Sequence, residues 1–172
     1  MRRPPTVIVV IALLMIALGE TSGAVMSQLR GPFADYSRAR IAANPAAHGL
    51  SGSAEYDDEI RARTVLAAEA GLSFFHTHAE GLGVVVLLVA TVTATVIPWA
   101  RLRRALHVLL GVGGLFPLGY LVYAIAVVEL GRDEGVALAE RWVLTPLGSA
   151  VIVALVAQVI ALATLVARGR ST

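Results

Sequence analysis

The sequence contains no cysteine, and its fourteen basic side chains are all arginine. The first absence excludes disulfides, thiolate metal sites and c-type haem attachment. The missing lysine fits a high-GC coding bias and carries no functional meaning. Charge of either sign is scarce, 15% of residues against 57% hydrophobic. With a mean hydropathy of +0.76, this composition exceeds what a soluble domain carries and marks an integral membrane protein. The pI near 9.5 comes from arginines beside apolar runs, where anionic headgroups suit them, so it predicts no nucleic-acid partner.

A hydrocarbon core ~30 Å thick takes about 20 apolar residues per helix. The chain offers four such runs, about 6–29, 74–99, 105–130 and 146–167. The expected fold is all-α, a four-transmembrane-helix bundle forming one membrane domain over residues 1–172. Residues 30–72 form its outer cap, a loop followed by an amphipathic helix. Arg2 and Arg3, then Arg101, Arg103 and Arg104, then Arg168 and Arg170 flank the apolar runs with no Asp or Glu among them. The other seven arginines share segments 30–69 and 129–141 with ten of the twelve acids. The positive-inside rule therefore places both termini in the cytoplasm of a bacterial inner membrane and the mixed-charge segments outside. Helix one also fits a cleaved signal peptide, with Arg2 and Arg3 as n-region and Ser22-Gly23-Ala24 as the small-residue site. The renewed apolar character at Ala24, Val25, Met26 and Leu29 favours a retained span.

Ala, Pro, Gly and Ser over 31–52 predict irregular chain. Asp57, Asp58 and Glu59 then open a helix that Gly71 ends. Residues 131–144 predict a short interfacial helix, after which Thr145 caps and Pro146 starts helix four. Pro117 predicts a kink in helix three. Small residues, notably Gly111, Gly113 and Gly114, allow close helix approach.

The candidate chemistry lies in Phe74-Phe75-His76-Thr77-His78-Ala79-Glu80, at the outer entrance of helix two. Histidines and a glutamate at a membrane boundary need partners or water. If the helix is already formed at His76, Glu80 lies one turn on along the same face and His78 is turned by about 200°. If Thr77 and Glu80 form a capping box instead, His76 precedes the helix and is free to approach His78. By helical rise Glu20, Glu80, Tyr120 and Tyr123 fall in the same outer third, with Thr145 and Ser149 nearby. The candidate ligand set is His76, His78, Glu80 and Glu20, supported by Tyr120 and Tyr123. Each has a plain packing alternative, as interfacial polar residues or bundle contacts. Gln158, deeper in helix four, is expected to bond a neighbouring helix. His107 lies at the opposite membrane edge, solvated, and His48 is a surface residue of the outer segment or a lid ligand.

The run His76-Thr77-His78-Ala79-Glu80-Gly81-Leu82-Gly83 resembles small uncharacterised bacterial membrane proteins distantly similar to pieces of haem-copper oxidase subunits. The resemblance covers about the last hundred residues and rests on this one motif. It implies haem or copper held by histidine inside a helical bundle. The chain departs from it in having no second transmembrane histidine at the depth of His76. A second axial ligand would come from another subunit, from His48 or from Met26.

Two function classes follow. One is a metal or haem module near the outer face, with carboxylates favouring Zn or Fe over Cu(I). The other is a non-catalytic subunit or assembly partner, in a homo-oligomer or a larger membrane complex. Proton-coupled transport through Glu20, Glu80 and His76 is a weaker third, because broken helices and inverted repeats are missing. No His-Glu-x-x-His motif or nucleophile elbow points to a hydrolase.

Overall fold

A computed structural model describes residues 3–169, so Arg2 and Arg170 of the arginine pattern lie outside the described residues. Helix α1 covers Thr6–Ala43, α2 Pro45–His48, α3 Ala54–Val96, α4 Ala100–Gly113, α5 Leu118–Leu130, α6 Arg132–Ala139 and α7 Thr145–Gly169. Five residues of π-helix, Glu140–Leu144, join α6 to α7 without a break. Four helical runs are thus long and apolar enough to cross a membrane: Thr6–Ala43, Ala54–Val96, Ala100–Leu130 and Arg132–Arg168. The all-helical reading holds, with four helical runs of at least the expected length and apolar character. Arg3, Arg101, Arg103, Arg104 and Arg168 collect at one end, termed here the arginine end.

The far end departs from expectation. The expected loop over 31–52 is largely helix, because α1 continues through Pro32 to Ala43. The expected helix end at Gly71 is the interior of α3. The cap over 30–72 therefore exists, but as extensions of two spans. At 1.5 Å per residue α1 is about 57 Å long and α3 about 64 Å, twice what a bilayer core requires. Packing explains why Pro32 does not end α1. Ala34, Ser37 and Ile41 beyond it are buried, with Ala34 and Ile41 packing against Val65 of α3, and that burial outweighs one lost backbone bond.

The α1–α3 pair is the most extensive in the fold. Its buried positions step by three and four residues: Ile8, Ala12, Met15, Gly19 on α1 and Thr64, Ala68, Gly71, Phe75 on α3. Mid-pair the step of four repeats, through Phe75, Ala79 and Gly83 before Val86. Such an insertion locally unwinds a supercoil. Small residues fill both helices there, in Gly19-Glu20-Thr21-Ser22-Gly23 and Ala79-Glu80-Gly81-Leu82-Gly83. A side chain at Gly83 would begin 2.8 Å from the Ala12 carbonyl, so the backbones touch. This is the small-xxx-small contact of membrane helices.

Turns follow the local chemistry. Pro45 forces Asn44 out of the helical region, and Pro98 does the same to Ile97 (ψ 115°), ending α1 and α3. The Asp57 carboxylate accepts the Ser51 and Gly52 amides at 2.8 and 3.0 Å, tying the loop to the first turn of α3. The expected kink before Pro117 is a tightened stretch, with Phe116 N–H donating to Gly113 O and Tyr120 N–H to Pro117 O. Helix three starts at residue 100, not 105, and breaks into α4 and α5 there. Thr145 and Pro146 open α7 as expected, but Thr145 is itself helical (φ -64°, ψ -49°) and follows the π-helix directly, so it does not cap. Proline deprives the carbonyl four residues back of its partner, and the wider turn, with Thr145 N–H donating to Glu140 O, is where the ladder shifts.

The core nearer the arginine end comprises Ile8, Ala12, Val86, Ala90, Leu106, Leu110, Ala154 and Ala161. Inside it Thr93 Oγ lies 2.8 Å from both Val89 O and the Gln158 side-chain amide. A hydroxyl has one proton to give. With that proton given to Val89 O, the Gln158 NH2 turned toward Thr93 donates to the hydroxyl, and the far atom of the same amide is buried with no partner among the described residues. The expected bond from Gln158 to a neighbouring helix is present.

Candidate functional site

His76 lies in the middle of α3, so the capping-box arrangement at Thr77 does not occur and His76 does not precede the helix. Its imidazole lies over Gly23 of α1, where a Cβ would stand 2.5 Å from Cε1. Nδ1 is 2.9 Å from Gly19 O and 2.7 Å from Glu80 Oε1. Both neighbours accept, so Nδ1 carries a proton, and in the neutral ring Nε2 keeps its lone pair. The proton points at the Gly19 carbonyl, and the Glu80 carboxylate stands beside it off the line of a hydrogen bond. Side chains of both residues are about one-third exposed, 33% and 31%. A carboxylate-backed imidazole of this kind can hold a proton at Nε2 or present Nε2 as a ligand.

His78 turns to the other side of α3. Its Nδ1 is 2.9 Å from Phe74 O in its own helix, and its ring packs 4.8 Å from Tyr120 and 5.9 Å from Phe116. Tyr120 also meets Phe74 and Phe116, each at 5.4 Å between centroids. The aromatic cluster joins α3 to α5, with Tyr123 packing over Gly71, whose Cβ would meet Cδ1 at 2.6 Å. Glu20, one residue on from the Gly19 that receives His76, is exposed, as are Thr145 and Ser149. Of the candidate set, the structure brings His76 and Glu80 together and seats His78 and Tyr120 in a separate contact. Among the described residues no group of three or more His, Asp or Glu stands close enough to hold a metal ion. One chain offers a single free imidazole nitrogen at His76, fewer donors than structural zinc or bis-histidine haem requires.

The remaining histidines are corrections. His107 is not solvated: it is 9% exposed and its Nε2 lies 3.3 Å from Ala90 O. His48 is not a surface residue either, at 8% exposure. Its Nε2–H donates to Val128 O at 3.0 Å, while Asn44 Nδ2 donates to Glu129 O at 3.3 Å. The two side chains satisfy carbonyls that the C-terminus of α5 leaves without helical partners. Burial is the main reason the His48 pKa falls below its ordinary 6.5, against the opposing pull of the Val128 carbonyl and Glu129 charge.

Two features escaped the sequence reading. Gly19 and Gly23 form the notch that receives His76, and their Gly-x-x-x-Gly spacing was the available signal. The outward side of α1 is the second. Ala17, Glu20, Thr21, Ala24, Ser27 and Gln28 recur at helical spacing and are all exposed, whereas nearer the arginine end that side carries Val10, Leu13 and Leu14.

Compared with known proteins, the chain matches no family model, no curated protein and no solved structure.

Proposed function

We propose that this chain is a non-catalytic subunit of a membrane assembly, inserted by four spans with both termini in the cytoplasm, whose partner packs on the outward side of α1 around Glu20. One observation carries the reading. By helical rise Glu20 lies about 21 Å from the start of α1, inside a ~30 Å core, yet the described residues leave it exposed. Carboxylates at such depth face protein or water, because lipid leaves them unsolvated. The neighbouring Thr21, Ser27 and Gln28 supply hydrogen-bonding groups, and Ala17 and Ala24 permit close approach.

Native mass spectrometry of the protein extracted in nanodiscs tests this. A particle heavier than one 18.0 kDa chain is expected, and Glu20→Leu should reduce it to the single chain by making the face compatible with lipid. A single chain for the unaltered protein, or an assembly indifferent to Glu20→Leu, would refute the proposal. Reporter fusions after Arg104 and near Gly52 should read cytoplasmic and external; the reverse would invert the orientation.

A second reading has one observation in its favour, the free Nε2 of His76 backed by Glu80. A metal or haem there would draw its other ligands from a second chain across the same assembly. An optical spectrum and metal analysis of the intact assembly decide it. A Soret band or stoichiometric metal lost in His76→Ala supports this reading, and neither signal leaves the site as a packing contact.

A further inference from the structure

At the arginine end, a cleft of about 790 Å³ opens between the start of α1 and the start of α4. Arg3, Arg103 and Arg104 stand among its lining residues, with His107 in its wall. The two helices run in the same direction here, and the lining repeats the same order on each. On one side Arg3 is followed by Val7 and Ile11, on the other Arg104 by Val108 and Val112. Steps of four keep Arg104, Val108 and Val112 on one face of α4 and Val7 and Ile11 on one face of α1, while Arg3 lies on the non-helical chain that enters α1. Cations thus occupy the mouth, and apolar side chains line the walls leading toward the bundle centre. Val7, Val108 and Val112 remain 63%, 60% and 44% exposed.

Among the described residues, the charges at the mouth lack a counter-ion. Arg103 donates to Ile97 O at 2.9 Å, but among the described residues no carboxylate pairs with Arg3, Arg103 or Arg104. The chain also places no Asp or Glu in the surrounding segments 1–19 or 97–128.

We propose that this cleft is a binding site for one anionic phospholipid, its phosphate held by Arg3, Arg103 and Arg104 and its acyl chains lying along the Val7–Ile11 and Val108–Val112 walls. Charge complementarity selects an anion, and the apolar walls behind the charge select one that carries hydrocarbon. Basic pockets between spans at the cytoplasmic edge hold lipid headgroups for the same reason. A zwitterionic lipid brings its own cation to the mouth and gains little. The site lies at the start of α1, about 21 Å by helical rise from Glu20, so it stands or falls independently of the assembly proposed above.

The test is lipid retention by the purified full-length protein, measured by native mass spectrometry against phosphatidylglycerol and phosphatidylcholine with identical chains. Phosphatidylglycerol should bind about tenfold or more tightly, and the double substitution Arg3→Gln/Arg104→Gln should abolish that preference. Neither residue has an ion pair among the described residues, so an unchanged thermal midpoint is expected and serves as the folding control. Arg101→Gln removes the same charge one turn away from the lining and should leave the preference intact. Glycerol phosphate at millimolar concentration should not displace the lipid, because it lacks the chains. Equal retention of the two lipids, an equal loss in Arg101→Gln, or displacement by glycerol phosphate would each overturn the proposal, the last in favour of a simple anion site.

Discussion

The two ends of this bundle carry the same cation and treat it in opposite ways. At the far end Arg30, Arg38, Arg40, Arg61 and Arg63 each face a carboxylate of the chain itself. Arg40 does so with two nitrogens, its Nε donating to Glu129 Oε1 at 2.9 Å and its Nη2 to Oε2. At the arginine end Arg103 donates to a backbone carbonyl and Arg168 lies 5.6 Å over the Trp99 ring. Arginine finds its partner within the fold where the chain supplies acids, and in the surroundings where it does not. The far end thus pairs five of its seven arginines with its own carboxylates, whereas none of the described arginines at the arginine end has such a pair.

The sharpest way to break this contrast is to unlock the far end. Gly131 sits at φ 87°, a conformation that L side chains resist, and a Cβ there would stand 2.1 Å from Ala47 O. Strain and overlap together predict that Gly131→Ala costs more than about 2 kcal/mol. Reversible unfolding in detergent measures it, and a cost below 0.5 kcal/mol, on the order of an ordinary surface change, would mean the loop is not clamped.

Acidification should loosen the same end by a smaller amount. His48 is held below its ordinary pKa of 6.5, so the unfolded clamp binds the extra proton first. Stability from this residue is therefore complete above about 6.5 and is lost as pH falls through the lower folded value. Hydrogen exchange over residues 44–52 should accelerate, after correction for intrinsic rate, between pH 7.5 and pH 5. His48→Gln should remove that dependence, and residues 150–165, which contain no histidine or acid, should not share it.

Arg40→Gln should have a smaller effect still. The pair with Glu129 is half exposed and screened by salt, so breaking it should lower the thermal midpoint slightly, with the difference shrinking as ionic strength rises. Arg104→Gln should do least of all, leaving the midpoint in detergent unchanged. If Arg104→Gln destabilises the protein as much as Arg40→Gln does, the two ends are not different in kind.

Much of this architecture was legible in the chain. Four apolar runs, the kink at Pro117 and a helix-bridging role for Gln158 follow from hydropathy, proline chemistry and the cost of a buried amide. The separation of His76 from His78 followed from the 200° between them once the helix was taken as formed. The far end of the bundle was harder to see. Gly31, Pro32 and Gly71 are breakers by propensity, but breakers act locally, and the burial of Ala34, Ser37, Ile41 and Val65 between α1 and α3 comes from partners more than twenty positions away. His48 looked like a surface residue for the same reason, since the carbonyl that buries it belongs to residue 128.

The sequence by itself determined the number of spans and the end that gathers unpaired arginine, because hydrophobic length and charge placement are properties of contiguous residues. Only the tertiary structure decided that Gly19 and Gly23 receive His76, that Glu20 is left facing outward, and that Arg3 and Arg104 frame one cleft. Those outcomes depend on the rotation of α1 about its own axis against α3 and α4. That angle is fixed by which small residues let the backbones meet, and no local segment encodes it.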